Sequence, residues 1–245
     1  INKSLYIKMQ NNLLKHFYNN DTDFLELGID EAGRGPMFGR VYSACVILPK
    51  SDNFNYSLLK DSKKFSSKKK INEVANYIKN NALTYSICYE DEKMIDKINI
   101  RQSTHKAMHN CINNICKQFD YNDYNNKLYL LVDGNDFKNY TYFNNTKNCI
   151  EQINHVLIEG GDNKYCSIAA ASILAKVERD NYIEEICNKY TKLDFYYQIK
   201  KNKGYGTAKH LEGIKQYGIS PWHRKTYGCC KESQINNEEY YLETS

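Results

Sequence analysis

Three short apolar runs in this sequence end in acidic residues with glycine close by. Residues 24–29 precede Asp30-Glu31, residues 128–132 precede Asp133, and residues 156–158 lead through Gly160-Gly161 to Asp162. If the runs are strands of one sheet, their ends can bring four carboxylates, Asp30, Glu31, Asp133 and Asp162, to one edge. Left alone, such a cluster repels itself strongly. Hard divalent cations such as Mg²⁺, held by carboxylate and phosphate oxygens, resolve that repulsion. Two cations a few Å apart can activate a water and stabilise the leaving oxygen of a phosphodiester. For any single Asp after a strand, a helix cap or turn residue is the commoner explanation. The adjacent pair is more informative, although neighbours past a strand point to opposite sides unless a turn redirects them.

Gly33-Arg34-Gly35 follows the acidic pair directly, and Gly39 comes four residues later. The spacing GxGxxxG is one residue longer than the dinucleotide fingerprint, and no acidic ribose partner follows at the expected distance. The carboxylates just ahead would also repel a pyrophosphate, so a dinucleotide site is rejected. Glycines can instead set bare backbone amides and carbonyls against a ligand; the plainer alternative is a tight hairpin turn. His105 and His109 have the i, i+4 spacing of a metal pair but lack the Glu of HExxH, and read as ordinary histidines on a helix surface. Ser172 and Lys176 lie one turn apart on one helix face, where nucleic acid, core packing or a surface charge are all open. Lys63 and Lys64 sit in a basic, Ser-rich segment, residues 60–70.

The elements that must position these residues follow from periodicity. Apolar residues between Leu5 and Phe17 recur at helical spacing and predict an amphipathic N-terminal helix. Strands are expected at residues 24–29, ending at the acidic pair, and at 40–48, stopped by Pro49; their closeness suggests a hairpin. Further strands are expected at 83–89, 128–132 and 156–158. Helices are expected from the basic segment to Asn80, from about Arg101 to Phe119, and from Ser167 to Tyr190. Thr207 is a good N-cap for a short helix running to Gly218, and the polar residues from about Lys231 are expected to fray. The pattern is α/β with a mixed sheet and a small C-terminal helical lobe: an N-terminal extension over 1–20, a catalytic domain over 21–190, and a helical lobe and tail over 191–245.

With 245 residues, 41% hydrophobic and 26% charged, the chain can bury a sizeable core and is not of disordered composition. Its formal net charge of +5 is compatible with a polyanionic partner but proves little alone. Nine cysteines without a CxxC pair indicate neither a zinc site nor a disulfide framework. Several, such as Cys45 and Cys88, sit in apolar strand-like runs and read as small buried hydrophobes in a reducing compartment. No apolar run is long enough to span a bilayer, and the first 17 residues lack the apolar core of a signal peptide. The sequence begins without Met, which leaves room for an upstream segment and a targeting signal.

Gly28-Ile29-Asp30-Glu31-Ala32-Gly33-Arg34-Gly35-Pro36 resembles the signature of type 2 ribonucleases H. The likeness continues at Leu59-Lys60-Asp61-Ser62-Lys63-Lys64, Ile98-Asn99-Ile100, Val132-Asp133-Gly134-Asn135 and Gly161-Asp162. It runs on through the block from Ser167 to Asp180, then Gly204-Tyr205-Gly206-Thr207 and Ser220-Pro221-Trp222-His223-Arg224. The blocks stand in order over roughly residues 24 to 228, which is far more specific than any one of them, and the layout resembles the single-chain bacterial type. The resemblance implies the ribonuclease H fold, a central mixed sheet flanked by helices. It implies Asp30, Glu31, Asp133 and Asp162 as ligands of Mg²⁺ or Mn²⁺, two ions in the reactive complex. It implies that the Gly33-Arg34-Gly35 backbone and Tyr205 read the 2′-hydroxyl, the group that separates RNA from DNA, and it favours Lys63 as a phosphate contact. The expected activity is endonucleolytic cleavage of the RNA strand of RNA–DNA hybrids and of DNA at embedded ribonucleotides, leaving 5′-phosphate and 3′-hydroxyl ends. A cytoplasmic monomer is expected.

Asp180 also matches the family but lies inside a long helix, and reads as a structural ion pair. Three positions depart from the pattern: Phe38 replaces a small residue, Arg40 a proline and Gly160 a common lysine. These put substrate preference or activity in doubt but remove no carboxylate. Two rivals are a nuclease of the same fold acting on DNA, which Tyr205 and the glycine turn argue against, and a non-catalytic hybrid-binding module, which has no use for four acids facing phosphates.

Overall fold

The computed structural model describes residues 14–21, 23–118 and 128–236. Among them the strands are β1 (Leu25–Ala32), β2 (Val41–Ile47), β3 (Thr84–Glu90), β4 (Leu128–Asp133), β5 (Thr141–Asn144), β6 (Cys149–Gln152) and β7 (His155–Ile158). The α-helices are α1 (Lys68–Asn81), α2 (Glu92–Cys116), α3 (Cys166–Lys189), α4 (Lys192–Tyr197), α5 (Ile199–Asn202) and α6 (Ala208–Tyr217). Five strands form a mixed sheet in the order β3-β2-β1-β4-β7, flanked by helices, and β5 pairs with β6 in a separate ribbon. The strands β1, β4 and β7 run parallel, in register Ile29↔Val132 and Val132↔Leu157. Asp30 and Asp133 therefore emerge side by side at the carboxyl ends of adjacent strands.

The chain packs as two compact units. Among the described residues, one comprises the segment ending at Glu31, Ser43–Cys88 and Met108–Ala175; the other comprises Ala32–Tyr42, Tyr89–Ala107 and 176–236. In the first unit, alternation along β1 and β4 sends Leu27, Ile29, Leu130 and Val132 into a core with Cys45, Ile47, Met108, Cys111, Ile112 and Ile115. Each such aliphatic side chain contributes about 1.5–3 kcal/mol by burial. Leu131, on the opposite face, packs with Ile158 and Ile168. Gly28 lies on that face too, and a Cβ there would stand 2.1 Å from the Ser167 carbonyl carbon. The missing side chain lets the first turn of α3 rest directly on β1, two residues before Asp30.

The expected strands and long helices are present, with instructive differences. β1 continues through Asp30 and Glu31 to Ala32 instead of ending at the acids. The helix expected from Arg101 begins earlier, at Glu92, and is interrupted at Asn99 (φ 67°, ψ 164°), whose Oδ1 accepts from Gln102 N and caps the second stretch. Most of the expected N-terminal helix lies outside the described residues. Its last positions are not helical: Lys15 forms a parallel bridge with Tyr165, because its peptide bonds the backbone of Lys164 and Cys166. Thr207 stands at the N-cap of α6 without a side-chain capping bond; its Oγ1 accepts from Asn202 Nδ2 instead. The start of the expected frayed tail is docked, with Ile219 N bonding Gln234 O and Asn236 N bonding Ile219 O; residues beyond 236 lie outside the described chain. Strands β5 and β6 and the short helices α4 and α5 were not foreseen, being too short for periodicity to register. All nine cysteines are free thiols, Cys45 buried and Cys88 half-buried. Among the described residues, no helix is long and apolar enough to cross a membrane.

Candidate active site

The first unit holds the four carboxylates. Asp30, on β1, is buried; its Oδ1 accepts from Glu31 N at 2.6 Å, and its carbonyl accepts from Ser43 Oγ at 3.0 Å. The Ser172 hydroxyl on α3, 3.1 Å from Ser62 Oγ, also bonds the Asp30 carboxylate. Asp133 ends β4, and its Oδ1 accepts from Gly161 N at 2.6 Å. Asp162 is buried in the 3₁₀ turn Gly161–Asn163, where Asn163 Nδ2 donates to its Oδ1 at 3.0 Å. The same amide reaches Asp61 Oδ2 at 3.3 Å and accepts from Lys64 Nζ, tying this turn to the Asp61-Ser62-Lys63-Lys64 segment. Lys63 is exposed, and Asp61 Oδ1 caps its peptide N–H at 2.9 Å.

The electrostatics make one site of these positions. Burial pushes the Asp30 carboxyl well above the usual range, and the charges of Glu31 and Asp133 push it further, against the bonds from Ser172 and Glu31 N–H. Burial also raises Asp133; the Gly161 N–H opposes it, the Asp162 charge adds to it, and the Lys63 ammonium draws it back. The couplings thus run from Glu31 to Asp30, to Asp133, to Asp162. Among the described residues, no three His, Cys, Asp or Glu side chains already enclose a point as a metal cage would. The donor set is nonetheless all oxygen and short of positive charge. Mg²⁺ typically takes one or two carboxylates and fills its shell with water and phosphate oxygens, so this open arrangement fits such an ion.

The second unit holds the glycine turn and Tyr205. Arg224, fully buried, spreads its guanidinium over the turn: Nη2 donates to Gly33 O (2.6 Å), Nη1 to Arg34 O (2.9 Å) and Pro36 O (2.7 Å), and Nε to Gly39 O (2.9 Å). The Tyr227 hydroxyl adds a bond to Arg34 O at 2.9 Å. Gly33 has φ +95°, and a Cβ there would meet Arg179 Nε at 2.2 Å; both conditions demand glycine. Arg179 is buried, donates to Lys203 O at 2.8 Å, and feels the charge of the Tyr205 phenol. Tyr205 is 52% exposed, with its ring 3.4 Å from where a Gly35 Cβ would stand. Met37 N bonds Gly204 O at 2.9 Å, fastening the turn to the Tyr205 loop. The structure therefore brings Gly33, Arg34, Gly35 and Tyr205 together.

Several residues entered the site without a role assigned from the sequence. Ser62, Arg179, His223 and Arg224 stand in the blocks of the resemblance and His210 and Asn163 do not, but all six act through contacts that spacing along the chain does not reveal; Arg224 reaches carbonyls about 190 positions away. Asp180 forms an i, i+4 ion pair with Lys176 at 2.9 Å. His105 is buried rather than on a helix surface, and half-buried His109 bonds the Lys138 carbonyl at 2.7 Å. Of the three departures, Phe38 is buried edge-on against His223, with ring centroids 5.2 Å apart. Arg40 stacks between Tyr89 and Tyr182, 3.9 and 4.4 Å from their ring centroids. Gly160 has φ +60°, with open space where a Cβ would stand.

The model of the family described as ribonuclease HII matches residues 27–230. The chain is 37% identical over 214 residues to the ribonuclease HII of Bacteroides thetaiotaomicron, covering 87% of this chain and 94% of the relative. It is 43% identical over 201 residues to that of Francisella tularensis subsp. mediasiatica, covering 82% and 94%. In fold it is similar to the crystal structure of ribonuclease H2 from Pyrococcus horikoshii, with a TM-score of 0.64, 21% identity, and 85% and 96% coverage.

Proposed function

Because the chain belongs to the ribonuclease HII family, we propose that Asp30, Glu31, Asp133 and Asp162 are the catalytic carboxylates with which it cuts the RNA strand of RNA–DNA hybrids and DNA at embedded ribonucleotides. The observation that carries this is the row of like charges at the carboxyl ends of β1 and β4, where Asp30 is raised in pKa by burial, Glu31 and Asp133, and Asp133 by burial and Asp162. Carboxylates gathered this closely repel one another until a proton or a cation neutralises them, and such clusters concentrate at functional sites. The enzyme depends on a divalent cation; we take Mg²⁺ or Mn²⁺, two ions in the reactive complex. When bound, such ions stabilise the phosphoryl charge and lower the pKa of water.

The chain's own residues do the rest. Asp30 and Asp133 offer oxygens held in place by peptide N–H groups, Ser172 steadies Asp30, and Asn163 steadies Asp162. Lys63 is suited to a backbone phosphate. Arg224 fixes the carbonyls of the glycine turn, so its amides are presented in one conformation. The Tyr205 phenol can donate to a 2′-hydroxyl while its ring packs on the sugar. We read the products as 5′-phosphate and 3′-hydroxyl ends, the acting form as a monomer, and the free thiols as suited to the reducing cytoplasm.

The test is cleavage of a labelled duplex with one ribonucleotide beside an RNA–DNA hybrid, with Mg²⁺, Mn²⁺ or chelator. Cleavage that needs the cation and is lost in Asp30→Asn and Asp133→Asn is expected. Near-normal cutting by either variant sinks the assignment of the carboxylates. Tyr205→Phe should cut the single ribonucleotide modestly less well and Tyr205→Ala much less well, at unchanged cation affinity.

A further inference from the structure

We propose that His210 and His223 are positioning residues for Tyr205: two neutral imidazoles in series, anchored on Ser220, end on the Tyr205 carbonyl and hold the tyrosine in reading position. The proposal rests on Tyr205 being the ribonucleotide reader.

Both rings are fully buried in the second unit. His210 Nδ1 lies 2.9 Å from Tyr205 O, the two Nε2 atoms face each other at 2.9 Å, and His223 Nδ1 lies 3.0 Å from Ser220 N and 2.8 Å from Ser220 Oγ. These partners leave one proton arrangement. A carbonyl only accepts, so His210 Nδ1 carries hydrogen. The Ser220 amide only donates, so His223 Nδ1 is bare. In neutral rings the remaining hydrogen of His223 then sits on Nε2 and donates to the bare Nε2 of His210. The run is Ser220 N–H to His223, His223 N–H to His210, and His210 N–H to Tyr205 O, with every ring nitrogen satisfied.

Any added proton breaks this run. On His210 Nε2 it would oppose the His223 N–H; on His223 Nδ1 it would oppose the Ser220 amide. Burial lowers the pKa of both rings, His223 well below the ordinary value, with His210 lowering it further. The groups facing the pair are consistent with neutrality. Tyr197 presents its ring to both imidazoles, at centroid distances of 5.9 and 4.8 Å, and Phe38 meets His223 edge-on. The cation next in sequence, Arg224, is turned to the carbonyls of the glycine turn.

The end of the run is what assigns its purpose. The Tyr205 loop is bent by two consecutive positive φ angles, at Lys203 (52°) and Gly204 (83°). The Tyr205 carbonyl accepts from Thr207 N at 2.8 Å as well as from His210. With its ring half in solvent, Tyr205 depends on its backbone for placement. His223 also bridges Phe38 in the glycine turn, so the same pair indexes both parts of the reader.

The test joins spectroscopy to kinetics. Long-range ¹H–¹⁵N correlation of the histidine rings at neutral pH should show His210 as the Nδ1–H tautomer and His223 as the Nε2–H tautomer. In single-turnover cleavage of a duplex with one ribonucleotide at saturating Mn²⁺, His210→Leu should slow cutting about tenfold, the effect of one lost hydrogen bond at the upper end of its usual worth. His210→Asn, whose amide nitrogen falls near the Nδ1 position, should recover most of the rate, and duplex affinity should hardly move. A wild-type rate for folded His210→Leu beside a slow Tyr205→Ala overturns the proposal and spares Tyr205 as reader. A wild-type rate for Tyr205→Ala removes the premise itself. Should His210→Leu fail to fold, the wild-type tautomers decide: a charged ring, or His210 carrying its hydrogen on Nε2, overturns the proposal.

Discussion

Asp30 shows how a single residue is made unstable by the arrangement that makes it useful. Burial, Glu31 and Asp133 all favour its protonated form in the cation-free fold. The sign of the pH dependence follows. A carboxyl whose folded pKa lies above its unfolded value contributes stability that is present below the unfolded value and lost as pH rises through the folded one. Asp30→Asn cannot ionise and escapes that loss. Its melting temperature without cation should match wild type in acid and pull ahead toward neutral pH, by about 2–4 °C for each kcal/mol relieved. Melting curves across pH in chelator check this, and equal curves at neutral pH would show that the repulsion is not felt. Arg224 is the opposite case, a buried cation whose partners are backbone carbonyls. Arg224→Lys keeps the charge but not the planar fork, leaving some carbonyls unpaired at about 1–3 kcal/mol each. Urea unfolding should show a loss of about 2–4 kcal/mol, and an unchanged midpoint would mean the turn holds itself.

At the scale of elements, the contact of β1 with α3 decides where the carboxylates meet. The Ser167 peptide occupies the space a side chain at residue 28 would need. α3 therefore starts against the strand that carries Asp30, and it brings Ser172 to that carboxylate one and a half turns later. Gly28→Ala cannot be absorbed by a rotamer change, because the obstructing atoms are backbone. Forcing β1 and α3 apart should cost at least about 3 kcal/mol, the upper range for overpacking. The variant should unfold at markedly lower urea and lose cleavage even where it remains folded. A near-native midpoint would mean that α3 can shift without disturbing the sheet.

For the whole molecule the relevant quantity is charge. A net +5 favours approach to a polyanion whatever the placement of the individual charges. Binding of a hybrid duplex should weaken linearly in log Kd against log salt. Lys63, exposed beside the carboxylates, is the residue for which one phosphate contact is expected. Lys63→Ala should reduce the magnitude of that slope by about 1, measured by fluorescence anisotropy in Ca²⁺ or chelator to prevent cutting. An unchanged slope and affinity would show that this loop does not touch the backbone.

The sequence by itself determined the family, the strands β1, β2, β3, β4 and β7 and the long helices, and it singled out the four carboxylates, the glycine turn and Tyr205 as the candidate site. These were legible because each leaves a local mark: an apolar run of strand length, a 3.6-residue period, an acid beside glycine, an ordered set of blocks. Tertiary structure alone decided which residues hold those groups in place. Ser172 reaches Asp30 because Gly28 admits α3 onto the sheet, and Asn163 joins Asp162 to Asp61 across about 100 positions. Arg224 and His210 bond backbone carbonyls, which every residue possesses and no sequence pattern distinguishes. A different reason hid the burial of His105: a 3.6-residue period shows that a helix has two faces but not which of its polar residues another segment will cover.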